Sequence, residues 1–269
     1  MPNALYPPLK PRTFAELLDA VLQIFRLSLL KCLPYATLAI IAGQVSTLYY
    51  MWRGRGPLSA LDSNDPVGVA LYGVGTLIFV MLSVTILLRQ SAIAAGRPVT
   101  GSTDLLDTLK RAPAIVAIAL LISAAITAFV LPALALAPAY RTAGLAVMLA
   151  PAIYIGIALS FSVPALVLAR KGVLASLAYS FRLVRGNWWR VTAIYIVGLT
   201  IVLTLLMLVA SITTIALADN GAGDAAITRA ITSAAFLAVM AVGLTFWSAL
   251  NLALFGDLQI RRMTSSTGG

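Results

Sequence analysis

The residues that could do chemistry are few. Glu16, Asp19, Asp104 and Asp107 are carboxylates, and a cytoplasmic metal site built from all four is one reading. The other reading puts them in N-terminal first turns of helices, where the helix dipole favours negative charge. Histidine is absent and Cys32 is the only cysteine, so neither a Cys/His zinc site nor a disulfide within the chain can form. Cys32 reads as a small buried hydrophobe. The chain carries no phosphate loop, no nucleophile–base pair and no carboxylates paired at a catalytic spacing. A non-enzymatic protein is expected, with no cofactor and no catalytic or metal-binding residues.

Two other groups of side chains could recognise something. Gln44 and Asn251 are the strongest polar side chains in long apolar stretches. They read either as interhelical hydrogen-bonding groups or as lining for a substrate path. Arg12, Arg26, Lys110, Arg111, Arg182, Arg185 and Arg190, with Trp188 and Trp189, form candidate contacts for lipid or for a partner.

The elements that must position these residues are set by composition. Of 269 residues, 61% are hydrophobic and 10% charged, whereas a soluble domain carries roughly 25% charged residues. Mean hydropathy is +0.97 over the whole length. Six uncharged stretches are long enough to cross a bilayer, at about 33–52, 67–88, 112–131, 143–168, 191–217 and 230–256. The expected fold is therefore all-α, one six-span membrane domain over 13–262, with a flexible N-terminus at 1–12 and a disordered tail at 263–269. No cleavable signal peptide is expected.

The net charge of +10 would suggest nucleic acid in a soluble protein. Here it sits at span ends and in loops, so no nucleic-acid partner is expected. Fifteen of the 19 Lys and Arg fall on the N-terminal side, and only Arg53, Arg55, Arg141 and Arg229 on the other. That asymmetry places both termini in the cytoplasm of a bacterial inner membrane. Asp62, Asn64, Asp65 and Pro66 read as one outer turn, and Asp219, Asn220, Gly221 and Gly223 as another.

Amphipathic segments precede three pairs of spans. Residues 13–30 place Leu17, Val21 and Leu22 opposite Glu16, Asp19, Gln23 and Arg26, with a capping box from Thr13 to Glu16. Pro34 is expected to bend this interfacial helix into the first span. Residues 173–185 carry a stripe of Leu174, Leu177, Ala178, Phe181 and Val184, with Ser176, Ser180 and Arg185 expected to face water. Gly186-Asn187 should break that helix, leaving Trp188, Trp189 and a snorkelling Arg190 as anchors. A shorter segment runs from Ser102 to Lys110. Three parallel units, 13–89, 102–168 and 173–256, are one reading, and convergent surface helices the other. Pro132 and Pro138 suggest a re-entrant or kinked stretch at 132–142, Pro151 and Pro164 a proline-broken fourth span, and Ala152, Gly156 and Ser160 a stripe for close packing.

At two places the chain resembles a known family. Pro11-Arg12-Thr13-Phe14-Ala15-Glu16-Leu17-Leu18-Asp19 with Phe25-Arg26 is similar to the opening of glycerophosphoryl diester phosphodiesterase membrane-domain proteins. So is the stretch from Pro164 through Arg170-Lys171-Gly172, Ser176 and Ser180 to Gly186, followed by Trp189-Arg190. It also resembles uncharacterised six-span bacterial inner-membrane proteins. The resemblance implies a membrane part that fuller members join to a soluble hydrolase domain, whose histidine and metal-binding carboxylates have no counterpart in this sequence. The expected function is association with membrane lipids, through anionic headgroups at the cytoplasmic face, or with a membrane-protein partner. The alternative is a transporter or export-complex subunit for a lipid or apolar compound.

Overall fold

A computed structural model describes residues 5–56, 65–97, 101–134, 136, 138–219 and 225–267. Among them are nine helices and no strand: α1 (Phe14–Trp52), α2 (Pro66–Ala94), α3 (Gly101–Lys110), α4 (Ala112–Leu134), α5 (Pro138–Leu159), α6 (Ser162–Val167), α7 (Val173–Val184), α8 (Trp188–Asp219) and α9 (Ala225–Thr267). Six segments are long and apolar enough to cross a membrane, as expected from the sequence. Of the outer-turn residues, Asp62, Asn64, Asn220, Gly221 and Gly223 lie outside the described residues.

The first helix departs from expectation. It starts where the capping box marks it, with Thr13 N–H donating to Glu16 Oε2 at 2.7 Å and Glu16 N–H to Thr13 Oγ1 at 3.3 Å. It then runs unbroken through Pro34 for 39 residues, about 58 Å at 1.5 Å per residue, well beyond the roughly 30 Å of a hydrocarbon core. No separate interfacial helix precedes the first span, so the first of the three expected units lacks one. Pro34 is tolerated because packing on both sides holds the helix: Cys32 and Ala36 bury against Ile86 of α2 and Ala241 of α9. Glu16, Asp19, Gln23 and Arg26 are exposed as expected, but Leu17, Val21 and Ile24 face protein, against Leu250, Leu254 and Leu258 of α9.

α9 is the central post. It is 43 residues long, and 56% of its apolar window is buried, against 11% for α4 and α8. The tail from Thr264, expected to be disordered, is helical as far as Thr267, and Gly268-Gly269 lie outside the described residues. Residues 5–12 pack on the protein as well. Leu5 N–H donates to the Ala94 carbonyl at 2.9 Å, closing the end of α2, and Pro8 is buried beside Gly256.

Three further expectations meet the helices here. At 132–142, α4 continues through Pro132 to Leu134 and α5 begins at Pro138, its first turn suited to a residue without an N–H, while residues 135 and 137 lie outside the described residues. The fourth span is broken, as its prolines suggest: Pro164 can give no N–H to the preceding turn, and α5 ends before Ser160-Phe161. The α7 hydroxyl of Ser180 closes that break, accepting from Phe161 N–H at 3.1 Å and donating to the Ala158 carbonyl at 2.7 Å. Finally, the small-residue stripe does not mark a close crossing at its centre, since a Cβ on Gly156 would meet nothing within 4 Å.

The close crossings lie between α1 and α2. A Cβ on Gly75 would collide with the backbone carbonyl of Ala42, and one on Gly68 with the Tyr50 hydroxyl. Asp65 ties the far end of this pair, capping α2 through Val67 N–H (3.1 Å) while accepting from Tyr49 and Arg53. Gly75→Ala should therefore cost about 1–3 kcal/mol of overpacking and lower the unfolding midpoint of the detergent-purified protein. Gly156→Ala, with open space at its Cβ in the middle of α5, should keep that midpoint or raise it.

Candidate functional site

The charged end of the molecule is organised around one carboxylate that the sequence reading passed over. Asp257 is wholly buried on α9. Its Oδ1 accepts the backbone N–H of Arg12 at 2.7 Å, and its Oδ2 accepts Arg261 Nε at 2.8 Å and Arg190 Nη2 at 3.4 Å. The same two guanidinium groups turn back onto the Arg12 carbonyl, Arg190 at 2.7 Å and Arg261 at 2.5 Å. Asp257 thus gathers the N-terminal segment, the start of α8 and the end of α9. Its sequence signal was an isolated acid four residues before Arg261, at the end of a long uncharged run.

This network reassigns several candidates. Arg190 is an ion-pair partner of Asp257 and not a snorkelling anchor. Arg12 sits over the carboxylate, its Nη2 on the Leu5 carbonyl at 2.9 Å. Burial pulls its guanidinium below the ordinary value, and Asp257 and Glu16 oppose that pull. Trp188 packs edge-on to Trp189, ring centres 4.7 Å apart, and tilts against Tyr154 of α5. Trp189 itself is 80% exposed.

Arg182 and Arg185 project from the end of α7 and line a recess of about 430 Å³ with Arg261, Arg262 and Asn187. Gly186, at φ +91°, allows the turn that sets Asn187 between α7 and α8. Arg262 lies over the Tyr179 ring at 5.5 Å, and Arg182 Nε donates to the Ala178 carbonyl at 3.2 Å. Arg26 is exposed on α1.

The faces of α7 and α3 are in part the reverse of a water-facing amphipathic helix, although Leu183 and Val184 are buried and Arg185 is exposed as expected. Ser176 and Ser180 are buried in protein, while Leu174 and Phe181 are exposed. On α3, Thr108 is buried 3.0 Å from the Thr85 hydroxyl, and Leu105, Leu106 and Leu109 are exposed. The expectation that Ser176 and Ser180 face water is therefore corrected. The Ser180 hydroxyl serves the helix break, and Thr108 meets Thr85, while Ser176 Oγ is buried without a hydrogen-bond partner.

Lys110 and Arg111 fall elsewhere. Lys110 is exposed, and Arg111 Nη1 donates to the Val167 carbonyl at 2.7 Å, closing the end of α6. Arg111 also lines a polar recess of about 240 Å³ with Arg97, Asp104, Asp107 and Arg170. Burial raises the Asp104 carboxyl, with Arg89 acting against it. The four acids of the metal reading are not brought together: Glu16 is held in its capping box and Asp19 accepts from Gln23 at 2.7 Å. Among the described residues no cluster of three or more acidic, Cys or His side chains forms.

Inside the membrane, Asn251 Oδ1 accepts from the Tyr195 hydroxyl at 2.6 Å, and its Nδ2 donates to the Trp247 carbonyl at 3.0 Å. It also borders a recess of about 200 Å³. Gln44 lines a larger apolar crevice of about 510 Å³ between α1, α2, α8 and α9, and Phe79, Leu244 and Trp247 border both spaces. A third amide went unnoticed in the sequence. Gln90 is buried, donating to Ser28 Oγ at 3.2 Å and to the Thr245 carbonyl at 2.9 Å, so that it joins α1, α2 and α9.

Residues 112–268 match the family described as the membrane domain of glycerophosphoryl diester phosphodiesterase. The matched part spans α4 to α9 and contains Arg182, Arg185, Arg190, Asp257 and Arg261; α1 to α3, with the Pro11–Asp19 motif, precede it. No curated protein and no solved structure matches the chain.

Removing the carboxylate should loosen a specific part of the molecule. Asp257→Ala leaves Arg190 and Arg261 about a quarter exposed and able to rehydrate, so a loss of about 1–3 kcal/mol is expected, below that of a fully buried pair. Hydrogen exchange should accelerate at residues 5–13 before it does in α2.

Proposed function

This chain belongs to the family of membrane domains of glycerophosphoryl diester phosphodiesterase, and we propose that it is a non-enzymatic membrane component that holds anionic lipid at the cytoplasmic face of a bacterial inner membrane, both termini on that side. The observation that carries this reading is the paired inversion of α3 and α7. Each turns Leu or Phe side chains outward, and α7 ends in Arg182 and Arg185 beside the exposed Trp189. Apolar residues at acyl depth with arginines and tryptophan at headgroup level are how interfacial helices sit in an anionic leaflet. The non-enzymatic part is supported by how the acids are used: Glu16 and Asp65 cap helices, and Asp257 binds arginines. No phosphodiesterase activity is carried over from the family's description.

The test compares lipids that co-purify from mixed phosphatidylglycerol and phosphatidylcholine nanodiscs. Wild-type chain should enrich phosphatidylglycerol. Arg182→Glu with Arg185→Glu should reduce the enrichment about fivefold for each cation removed, from ~1 kcal/mol per basic residue. Arg190 is left intact because its reversal would break the Asp257 network. Unchanged enrichment would leave these helices an anchoring role only.

A second reading, movement of a lipid or apolar compound, is favoured by the crevice at Gln44 and its neighbour at Asn251. Proteoliposomes should then transfer a fluorescent lipid between leaflets faster than protein-free vesicles, and Gln44→Leu should slow that transfer. Equal rates with and without protein would end this reading.

A further inference from the structure

We propose that the recess formed by Arg182, Arg185, Arg261 and Arg262 around Asn187 is a binding site for a phosphate group carried on a larger molecule. The proposal deepens the lipid-association reading by naming the ligand chemistry of the same end of the protein, since Arg182 and Arg185 belong to both.

The argument begins with charge. Six arginines, at 12, 182, 185, 190, 261 and 262, surround Asp257 or line the recess. Among the described residues no carboxylate lines the recess itself. Asp257 accepts from Arg190, Arg261 and the Arg12 backbone N–H, and none of these hydrogen bonds reaches Arg182 or Arg185, which stand exposed at the rim. Like charges gathered this closely repel one another unless an anion joins them.

Donor geometry points the same way. Guanidinium groups present planar, forked donors that fit phosphate oxygens two at a time, which a single carboxylate could not satisfy across several arginines. The positions are also held in advance: Arg261 by Asp257, Arg262 against the Tyr179 ring, and Arg182 by the Ala178 carbonyl. The volume, about 430 Å³, exceeds what a bare ion needs and leaves room for the group that bears the phosphate. Asn187 supplies an amide able to meet an ester or hydroxyl oxygen beside it. The same chemistry is offered by a lipid headgroup and by a soluble phosphorylated compound.

The full chain, stripped of lipid in a maltoside detergent that carries no phosphate, is titrated calorimetrically with inorganic phosphate. Saturable binding is expected, weakened at least about tenfold in Arg182→Gln/Arg185→Gln, since hydrogen bonds to charged groups contribute most. Both side chains are exposed and lie outside the Asp257 network, so thermal unfolding should be unchanged and loss of binding readable as loss of the site. Lys31→Gln, which removes an exposed charge from α1, should bind as wild type does. If adding phosphatidic acid to the micelles displaces phosphate, the site takes a lipid headgroup; if glycerol phosphate competes and phosphatidic acid does not, it takes a soluble ligand. Either outcome upholds the site. Absence of saturable binding, or equal weakening in Lys31→Gln, overturns it. Phosphatidylglycerol enrichment in nanodiscs is a separate readout, so the lipid-association reading can fail while this site stands, and the reverse.

Discussion

A buried carboxylate with three arginine partners holds the charged end of this protein together. Asp257 has no exposure, and an uncompensated charge in that position would be costly to bury. Its environment therefore fixes where three chain segments must be. The N-terminal segment before α1 presents the Arg12 N–H, α8 must begin close enough to offer Arg190, and α9 supplies Arg261 one turn on. Once these are in place, the N-terminal half of α1 lies along α9, and Leu17, Val21 and Ile24 find their core there. The main hydrophobic cluster sits at this end, around the extensions of the long helices.

The inverted faces of α3 and α7 follow from the same setting. In water a helix turns serine and threonine outward, because solvent satisfies hydroxyls. Against a broken span the gain lies inward: the Ser180 hydroxyl satisfies the Phe161 N–H and the Ala158 carbonyl, which the break at Ser160-Phe161 leaves without helical partners. Apolar residues can then be outermost without penalty where lipid is the solvent. The break in the fourth span, the buried serines and the exposed leucines are one arrangement, and they set Arg182 and Arg185 at the rim where α7 ends.

Much of the architecture was legible from the residues. Uncharged stretches gave six spans, Thr13 and Glu16 gave the start of α1, Gly186-Asn187 gave the end of α7, and the exposed face of α1 was read correctly through Glu16, Asp19, Gln23 and Arg26. Periodicity failed where it could not say what lies opposite a helix. Leu17 and Leu174 occupy similar apolar stripes, yet one meets α9 and the other is 73% exposed. Pro34 and Pro164 are the same residue type in apolar runs, but packing on α2 and α9 carries the helix through the first, while the second ends one.

Sequence alone determined that this is an all-α chain with six lipid-length helices, because hydrocarbon admits only backbone that satisfies itself and the apolar runs have the length to cross. It also determined that cationic side chains cluster at one set of helix ends. Only the tertiary structure decided which of those cations are spent and which remain. Arg190 looked like its neighbours Arg182 and Arg185, and nothing local separates them. A carboxylate 67 residues away takes Arg190 into an ion pair and leaves the other two lining an open recess. Coulombic partners act through space at a few ångströms, so the distinction exists only once α7, α8 and α9 have been brought together.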